Sequence, residues 1–315
     1  MAIIGAGQLG SRHLQGIKGA ASPLSISVVD SSVNSLQVAK ERYEAVTPKG
    51  EKRVEYLTSI DDLPQALDLV IIATGSKPRA AIVKSLLNEK LVRNMVLEKV
   101  LFPLMSDYDE IGMLLKEKGV RCWVNCPRRM YGMYQDIAQL IDRSLPVTMV
   151  YGEENWGLCC NSIHEIDLFM YLTGESDYSI DTTSVDNKIE ESKRSGYIEM
   201  TGTLRVKTAQ GSELILTSIN GFEGEAGISI KNGNTDIFVD EAHGTWNVGE
   251  EDFLFAVPYQ SQLTGVLADE ILTQGTCQLS TFSQSASYHK PFIEAMLSKY
   301  NSITGEKDNK LLPIT

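Results

Sequence analysis

Two basic side chains, Lys99 and His164, stand in the sequence where they could transfer protons. Lys99 follows Glu98 at the carboxyl end of an apolar run from Met95 that predicts a strand. His164 lies near the start of a predicted helix, three residues before Asp167, and at that spacing a carboxylate can orient the imidazole. Either side chain can act as general acid or base once its pKa approaches neutrality. The alternatives are a surface lysine and a core histidine.

A glycine-rich turn near the start of the chain predicts dinucleotide binding. The run Gly5-Ala6-Gly7-Gln8-Leu9-Gly10 follows a short apolar strand, Ala2 to Ile4, and precedes apolar residues at helical spacing. The first glycine permits a sharp turn, the second lets backbone approach a pyrophosphate, and the third lets the helix pack closely on the strand. The pyrophosphate would lie at the helix N-terminus. The first strand is expected either to be this short or to begin upstream.

Asp30 is placed to contact the adenosine ribose of such a cofactor. It ends a predicted strand, Leu24 to Val29, and lies twenty residues beyond Gly10. No arginine follows Asp30 closely, so NAD is favoured over NADP. A glycine turn alone is weak evidence, but strand, helix and acid together favour a dinucleotide site. The predicted cofactor-contacting residues are Gly5, Gly7, Gln8, Leu9, Gly10, Asp30, Ala73, Thr74, Gly75, Glu98 and Lys99.

The composition argues against several other classes of protein. The chain has 315 residues, 43% of them hydrophobic, which is enough for two domains. Its 29 Lys and Arg against 41 Asp and Glu give a net charge of −12, which disfavours nucleic acid and anionic membranes. No apolar run approaches the roughly twenty residues of a membrane helix, and no signal peptide is recognised, so we expect a cytoplasmic protein. Five cysteines without a Cys-x-x-Cys pair predict reduced thiols and no metal site.

The first part of the chain has the pattern of an α/β fold. Apolar strands alternate with helices up to residue 127, as in a doubly wound parallel sheet. The nearly pure apolar run from Asp68 to Thr74 predicts a strand that is buried on both faces. Thr74-Gly75 then ends that strand where α/β folds bind ligands. The sequence therefore predicts a dinucleotide-binding Rossmann domain over residues 1–127.

Residues 128–315 are predicted to form a second, α+β domain for substrate binding and oligomerisation. Short alternating runs over residues 179–257, separated by turns such as Asn232-Gly233, predict an open-faced, mostly antiparallel sheet. The chain offers helices to cover one face of it, so a homodimer or homotetramer is expected to cover the other. The polar tail from Ser302 is predicted to be frayed.

Taken together, these features resemble the Gfo/Idh/MocA oxidoreductase family over nearly the whole chain. The resemblance is carried by Gly5–Gly10 with Arg12-His13, Val70–Thr74, Glu98-Lys99, Arg129 after Val124-Asn125-Cys126-Pro127, and His164–Asp167 with Leu172-Thr173-Gly174. It implies an NAD(P)-dependent dehydrogenase or reductase that acts on CH–OH groups of sugars, nucleotide sugars or polyols. The Asn161-Ser162-Ile163-His164 variant is similar to a subgroup associated with bacterial surface-carbohydrate synthesis.

The resemblance also implies the site residues. Lys99, assisted by His164, would exchange the hydroxyl proton while hydride passes between the substrate carbon and the nicotinamide. Arg128 and Arg129 would suit a carboxylate or phosphate on the substrate, and the equal alternative for Arg129 is an ion pair at the domain interface. The predicted substrate-contacting residues are Lys99, Arg129, Trp156, Cys160, Asn161 and His164.

The sequence departs from the family pattern at several of these positions. Val100 replaces the proline after Lys99, Gly75 and Arg79 replace a proline and a histidine, and Cys160 replaces the acid four residues before His164. Cys160 and Val100 favour an alternative function, a sensor or regulator that binds NAD without turnover. An NAD-dependent glycosidase that recycles its NAD is a further alternative. The sugar, the carbon oxidised and the direction of the reaction do not follow from the sequence.

Overall fold

Short buried strands alternate with helices in the first third of the chain. The computed structural model describes residues 1–315. Its first strands are β1 (Ala2–Ile4), β2 (Leu24–Val29), β3 (Lys52–Leu57), β4 (Ala66–Leu67), β5 (Val70–Ile72), β6 (Leu91–Val92), β7 (Asn94–Glu98) and β8 (Arg121–Asn125). The helices between them are α1 (Gln8–Ile17), α2 (Val33–Glu44), α3 (Ser76–Glu89) and α4 (Met105–Glu117). The strands β1, β5 and β7 are buried throughout, as their apolar sequences require.

The remaining residues form a larger set of strands with four helices. After a short 3-10 helix (Pro127–Met130) come α5 (Gly132–Leu140), β9 (Val147–Glu154), α6 (Leu158–Thr173), β10 (Tyr178–Asp181), β11 (Glu190–Glu191), β12 (Ile198–Glu199), β13 (Gly202–Thr208) and β14 (Glu213–Ile219). Next are β15 (Gly227–Asn232), β16 (Thr235–Asp240), β17 (Thr245–Val248), β18 (Glu251–Leu254), α7 (Gln260–Gln274), β19 (Ser280–Thr281) and α8 (Phe282–Thr304). None of these helices is long and apolar enough to cross a membrane.

The first sheet has the predicted doubly wound topology. Its strand order is β19-β8-β7-β5-β1-β2-β3, and all neighbours are parallel except β19 with β8. The chain order reverses between β1 and β5, so the ends of these two strands form the topological switch point, where α/β sheets bind ligands. Because Ile72 of β5 pairs with Leu97 of β7, the chain leaves the two strands side by side towards Thr74 and Lys99.

The second sheet is mostly antiparallel, also as predicted. Its order is β10-β13-β14-β9-β15-β16-β17-β18, and one pair, β14 with β9, is parallel. The predicted hairpin at Asn232-Gly233 is confirmed: Asn232 pairs with Thr235, and Gly233 has a φ of +60°, which glycine adopts without strain. One face of the sheet is buried and includes Met149, Leu216 and Ile230.

Contacts between Cα atoms divide the chain into two units. The first unit holds residues 1–102, 106–125 and 258–282, and the second holds 103–105, 126–257 and 283–315. Helix α7 thus packs in the first unit, although the division predicted at residue 127 assigns it to the second domain. Gly16 and Gly265 explain this packing, because a Cβ on Gly265 would lie 2.6 Å from Ala20 N on the segment after α1. Amphipathic spacing shows that a helix is packed but does not say against which partner.

The prediction of a frayed tail after Ser302 is wrong. Helix α8 continues to Thr304, and Leu311 then forms a β-bridge with Leu104 within the second unit. The next residue, Leu312, is buried and donates its N–H to the carbonyl of Pro103 at 3.1 Å. The tail is held by backbone contacts with residues about two hundred positions earlier, and Leu312 and Ile314 are buried, so local polarity could not predict it.

Candidate cofactor and substrate sites

The glycine turn of the first unit has the close packing that its spacing predicts. Gly5 has a φ of +92°, and a Cβ there would lie 2.9 Å from Thr74 N. A Cβ on Gly10 would overlap the carbonyl oxygen of Gly5 at 1.7 Å. Gly7, in contrast, has no atom within 4 Å of a Cβ position and faces open space. Two glycines are therefore needed for folding, while the third leaves room for a ligand to approach the backbone.

The N-terminus of helix α1 is suited to an anion. Gly7 is its N-cap residue, no side chain caps it, and the first turn contains no acidic residue. Unpaired N–H groups and the helix dipole favour a phosphate at such an end. Beside the turn, at the end of β5, Thr74 Oγ1 is buried and has no hydrogen-bonding partner in the protein. A buried hydroxyl without a partner fits a contact with a bound group.

Asp30 is fixed against the glycine turn. Its Oδ2 accepts the N–H of Ala6 at 2.7 Å, and its Oδ1 accepts the N–H of Ser32 at 2.8 Å. The side chain is partly exposed. Each carboxylate oxygen keeps a second lone pair, so both can still accept a ribose hydroxyl. The structure thus brings Asp30 together with Gly5–Gly10, and its contact with a ribose stays a prediction.

An arginine that the sequence did not single out also lies at this turn. Arg42 of α2 donates to Gln8 Oε1 at 2.7 Å and to Ser11 Oγ at 2.5 Å, so its cation stands beside the first turns of α1. In the sequence, an arginine that favours NADP is expected close after Asp30. Arg42 is twelve residues further on, and the packing of α2 against α1 brings it back.

Glu98, the residue before Lys99, belongs to a buried hydrogen-bond network. Its Oε1 accepts from Asn125 Nδ2 at 2.6 Å and lies 2.8 Å from His13 Nε2. The other ring nitrogen of His13 is 3.0 Å from Thr264 Oγ1. Burial by itself raises the pKa of Glu98, but the hydrogen bond and charge of His13 and the bond from Asn125 outweigh it, so the pKa lies below its ordinary value. This carboxylate anchors the end of β7, and its predicted contact with the cofactor stays a prediction.

Arg79 restrains the backbone on the other side of Lys99. The guanidinium is 1% exposed and donates to the carbonyl oxygens of Leu101 at 2.9 Å, of Val100 and of Thr74. It therefore ties the segment after β5 to the segment after β7. The peptide between Lys99 and Val100 is cis. Where the family pattern has a proline to restrict the chain, this protein has hydrogen bonds from a buried arginine.

In the second unit, most of the predicted substrate residues gather at the N-terminal end of α6. The helix begins at Leu158, after Gly157 with a φ of +93°. Trp156 donates its Nε1–H to the carbonyl of Thr217 at 2.8 Å and packs its ring 4.8 Å from that of Tyr151. Asn161 Nδ2 donates to the carbonyl of Trp156 at 2.6 Å. The residues partly exposed here are Trp156, Cys160, Asn161 and His164.

Glu199 of β12 supplies a carboxylate at the same helix end. Its Oε2 accepts the N–H of Cys159 at 2.8 Å, and its Oε1 accepts that of Cys160 at 3.0 Å. The chain thus has an acid next to Cys160, although the acid of the family pattern is missing from the helix itself. Sequence reasoning missed Glu199 because forty residues of intervening chain carry no signal for this contact.

A second carboxylate group surrounds Arg128. Its Nε and Nη2 each donate to one oxygen of Glu241 at 2.9 Å, and its Nη1 lies 3.1 Å from Glu165 Oε1. Tyr134 donates its hydroxyl to Glu241 at 2.8 Å. Glu165 is 1% exposed, and its Oε2 has no partner in the protein. Burial raises the pKa of Glu165 from 4.5 to about 7; Glu241 adds to the rise and Arg128 opposes it.

Arg129 forms an ion pair within the second unit, whereas the alternative left open by the sequence was an ion pair at the domain interface. Its Nε lies 2.8 Å from Asp167 Oδ2, and its Nη2 donates to the carbonyl of Asp167 at 3.1 Å. Both side chains are buried, with exposures of 8% and 1%. Asp167 was predicted to orient His164, and in the structure its carboxylate binds Arg129. The guanidinium of Arg129 is therefore bound by Asp167 within the second unit.

The glycine turn, the uncapped helix α1, Asp30 and the partnerless hydroxyl of Thr74 define the first unit as a dinucleotide-binding Rossmann domain. Residues 1–126 match a family model described as an oxidoreductase family with an NAD-binding Rossmann fold. These residues, 126 of the 315, match the NAD-binding domain of the Gfo/Idh/MocA family, and the match supports an NAD(P)-dependent dehydrogenase or reductase. The predicted family, fold class and NAD cofactor are confirmed. Among curated proteins, none matches the sequence.

Solved structures share the fold over nearly the whole chain. A UDP-N-acetylglucosamine 3-dehydrogenase from Acidithiobacillus ferrooxidans is 14% identical, with a TM-score of 0.69 over 94% of this chain and 96% of that one. A biliverdin reductase from Synechocystis sp., solved with biliverdin and NADP+, is 17% identical with a TM-score of 0.66, over 94% and 98%. An oxidoreductase from Agrobacterium radiobacter, solved with NAD+, L-tartaric acid and magnesium, is 14% identical with a TM-score of 0.68, over 96% and 98%. At such identities the likeness is one of fold.

Proposed function

We propose that this oxidoreductase interconverts a secondary alcohol and a ketone on a sugar-like substrate, with Lys99 as the proton carrier. When NAD is bound, its nicotinamide accepts or returns the hydride. The protein has to hold the substrate hydroxyl and to move its proton. A lysine suits that task because its pKa responds strongly to burial and to neighbouring charge.

The observation that carries this proposal is the support around Lys99. Glu98 on one side is held by His13 and Asn125, and Val100 on the other is held by Arg79. The lysine itself is partly exposed and follows β7, whose neighbour β5 leads to Thr74 beside the glycine turn. Residues fixed from both sides at the carboxyl end of a strand in such a sheet commonly contribute to catalysis, because a rigid backbone keeps a reacting group in place.

His164 is proposed to assist in the second unit. It lies one helical turn after Cys160 and shares the N-terminal end of α6 with Trp156 and Asn161. This group combines an imidazole, an amide and an aromatic ring, which suits a ligand with several hydroxyls. A role in bacterial surface-carbohydrate synthesis and a cytoplasmic location stay predictions from the sequence.

The experiment that tests the proposal is NADH absorbance in a screen of sugars, inositols, uronates and nucleotide sugars. Reduction of NAD with any member supports it. The second candidate is a sensor that binds NAD without turnover, which the thiol of Cys160 in place of the family acid favours. If calorimetry shows that NAD binds but no compound in the screen reduces it, the sensor replaces the proposed function.

We also propose self-association through the open face of the second sheet. Three apolar side chains lie in one cross-strand row on that face: Ile215, Val150 and Phe238. Val150 pairs with Ile215 and with Ser229, and Ser229 pairs in turn with Phe238. None of these three apolar side chains is buried, and Val150 is 37% exposed. Such a row on an open sheet gains stability when a second copy covers it.

A further inference from the structure

Three features of the second unit could hold an anionic group of a substrate, and all lie at or near α6. They are the guanidinium of Arg128, the guanidinium of Arg129 and the N-terminus of α6. Arginine forks and helix N-termini are the usual protein ligands of carboxylates and phosphates. In this protein a carboxylate of the chain itself occupies each of the three.

At the helix N-terminus, Glu199 fills the position that a substrate anion would take. Its two oxygens accept the N–H groups of Cys159 and Cys160 at 2.8 and 3.0 Å. A Cβ on the N-cap residue Gly157 would lie 3.3 Å from Glu199 Oε1, so the carboxylate sits tightly over the helix end. An incoming anion would meet a negative charge instead of open N–H groups.

The fork of Arg128 is filled in the same way. Glu241 binds it through both oxygens, at 2.9 Å each, and Glu165 takes the remaining Nη1 at 3.1 Å. The exposed fractions of the Arg128 and Glu241 side chains are 18% and 25%, so the ion pair borders solvent but is mostly shielded from it. A substrate carboxylate would have to displace a bidentate carboxylate that is already in place.

Arg129 offers no compensating charge, because Asp167 neutralises it in a buried pair. The region thus sets two guanidinium cations against the charged carboxylates of Glu199, Glu241 and Asp167. Glu165 adds a partial charge near neutral pH, because its pKa is about 7. Its field repels anions and attracts hydrogen-bond donors. Carboxylates accept hydrogen bonds readily from hydroxyl groups, and the paired rings of Tyr151 and Trp156 offer an apolar surface to the C–H face of a sugar ring.

We propose that the part of the substrate bound beside α6 is an uncharged, polyhydroxylated ring, and that Glu199 and Glu241 exclude carboxylated and phosphorylated counterparts. This inference rests on the proposed function, and it replaces the expectation that Arg128 and Arg129 bind a substrate anion. The two glutamates are specificity residues, since they act by charge on what can bind and not on the transfer of hydride.

The test is calorimetric binding to the NADH-loaded protein of matched ligands: glucose, galactose and N-acetylglucosamine, each with its uronate and its 6-phosphate. The expected result is that uncharged members bind, and bind at least about tenfold more tightly than their acidic partners. The inference is overturned if an acidic partner binds as tightly, or if no uncharged member binds. NADH production in the same set is scored separately. If the uncharged ligands bind more tightly but none of them yields NADH, this inference stands and the proposed function is contradicted.

Two charge-removing variants test the assigned residues. Glu199→Gln keeps one oxygen that can accept a helix N–H, and Glu241→Gln keeps one acceptor for Arg128. In each variant the amide NH2 cannot accept the second N–H, so the side-chain volume is preserved and one hydrogen bond is lost. Each is expected to improve binding of the acidic ligands by about tenfold relative to the uncharged ones. The control is Glu213→Gln, which removes an equal charge from a pair with Arg205 and Lys207 on the second sheet. Circular dichroism checks that each variant is folded. The assignment is overturned if a folded variant has the same ratio of acidic-ligand to uncharged-ligand affinity as the native protein.

Discussion

His13 Nε2 lies 2.8 Å from Glu98 Oε1, and this contact joins the buried face of helix α1 to the residue that precedes Lys99. Thr264 of α7 holds the other ring nitrogen of the histidine at 3.0 Å. The helix that begins at the glycine turn therefore also fixes the end of β7. A hydrogen bond within the first unit therefore links the helix of the glycine turn to Glu98, the residue before the candidate proton carrier Lys99.

Replacing Glu98 by glutamine should destabilise the protein in a pH-dependent way. The pKa of Glu98 is below its ordinary value of 4.5, so its stabilising charge is fully present above about 4.5 and is lost as the pH falls through the lower, folded value. We expect Glu98→Gln to cost roughly 1–3 kcal/mol near neutral pH. Urea unfolding of native and variant protein at about pH 7 and about pH 4 measures this. An equal difference at both pH values would contradict the assigned charge.

Glu165 should affect stability in the opposite direction. Its pKa is raised from 4.5 to about 7, so the folded state binds this proton more tightly than the unfolded chain does. The free energy of unfolding should therefore fall as the pH rises from about 4.5 to about 7, by roughly 3 kcal/mol from this group, and stay level above. Glu165→Gln removes this contribution. Melting temperatures at about pH 5 and about pH 8 should diverge less in the variant than in the native protein. A parallel loss in both would show that Glu165 titrates normally.

The sequence predicted the features whose cause is local. The spacing of Gly5, Gly7 and Gly10 defines the turn, because strand, turn and helix are adjacent in the chain. The hairpin at Asn232-Gly233 is predictable for the same reason, since two alternating runs flank a dipeptide that favours the turn. The types of both sheets follow from these patterns and from the family resemblance, whereas the antiparallel edge strand β19 and the parallel pair of β9 with β14 were not predicted.

Residues whose role depends on distant partners could not be predicted. Glu199 approaches α6 from strand β12, and Glu241 approaches Arg128 from the turn after β16; neither belongs to a motif. Arg42 returns to the glycine turn through helix packing. Arg129 shows the limit in another way. A buried ion pair and a substrate-binding arginine have the same local sequence, and only the position of Asp167 distinguishes them.

NAD should bind more tightly than NADP. Asp30 stands against the glycine turn, and its charge repels a 2′-phosphate. Asp30→Asn keeps the shape of the side chain and should reduce the ratio of NAD affinity to NADP affinity by about tenfold or more. Arg42→Ala serves as the comparison and should weaken both cofactors to a similar degree, because its guanidinium contacts Gln8 and Ser11 beside the helix end. Calorimetric titration decides, and equal or tighter binding of NADP by the native protein would show that Asp30 is misassigned.

The open face of the second sheet should hold an oligomer together. Ile215→Asp places a charge in the row with Val150 and Phe238, and burying that charge between two copies is unfavourable. We expect light scattering to show a dimer or tetramer for the native protein at micromolar concentration and a smaller species for the variant. Thr203→Asp, on the same face but outside the apolar row, is the control and should have less effect. A monomeric native protein would contradict the proposal.

The most direct test of the account is the variant Lys99→Ala, examined for binding and for turnover in the same preparation. The glycine turn and Asp30 are intact in this variant, so calorimetry should give an NAD affinity within a few fold of native. Turnover with a substrate found in the NADH screen should fall by about 100-fold or more, the loss expected for a positioned proton carrier. His164→Ala should lose less, since that residue is proposed to assist. Turnover of Lys99→Ala at the native rate would contradict the central assignment.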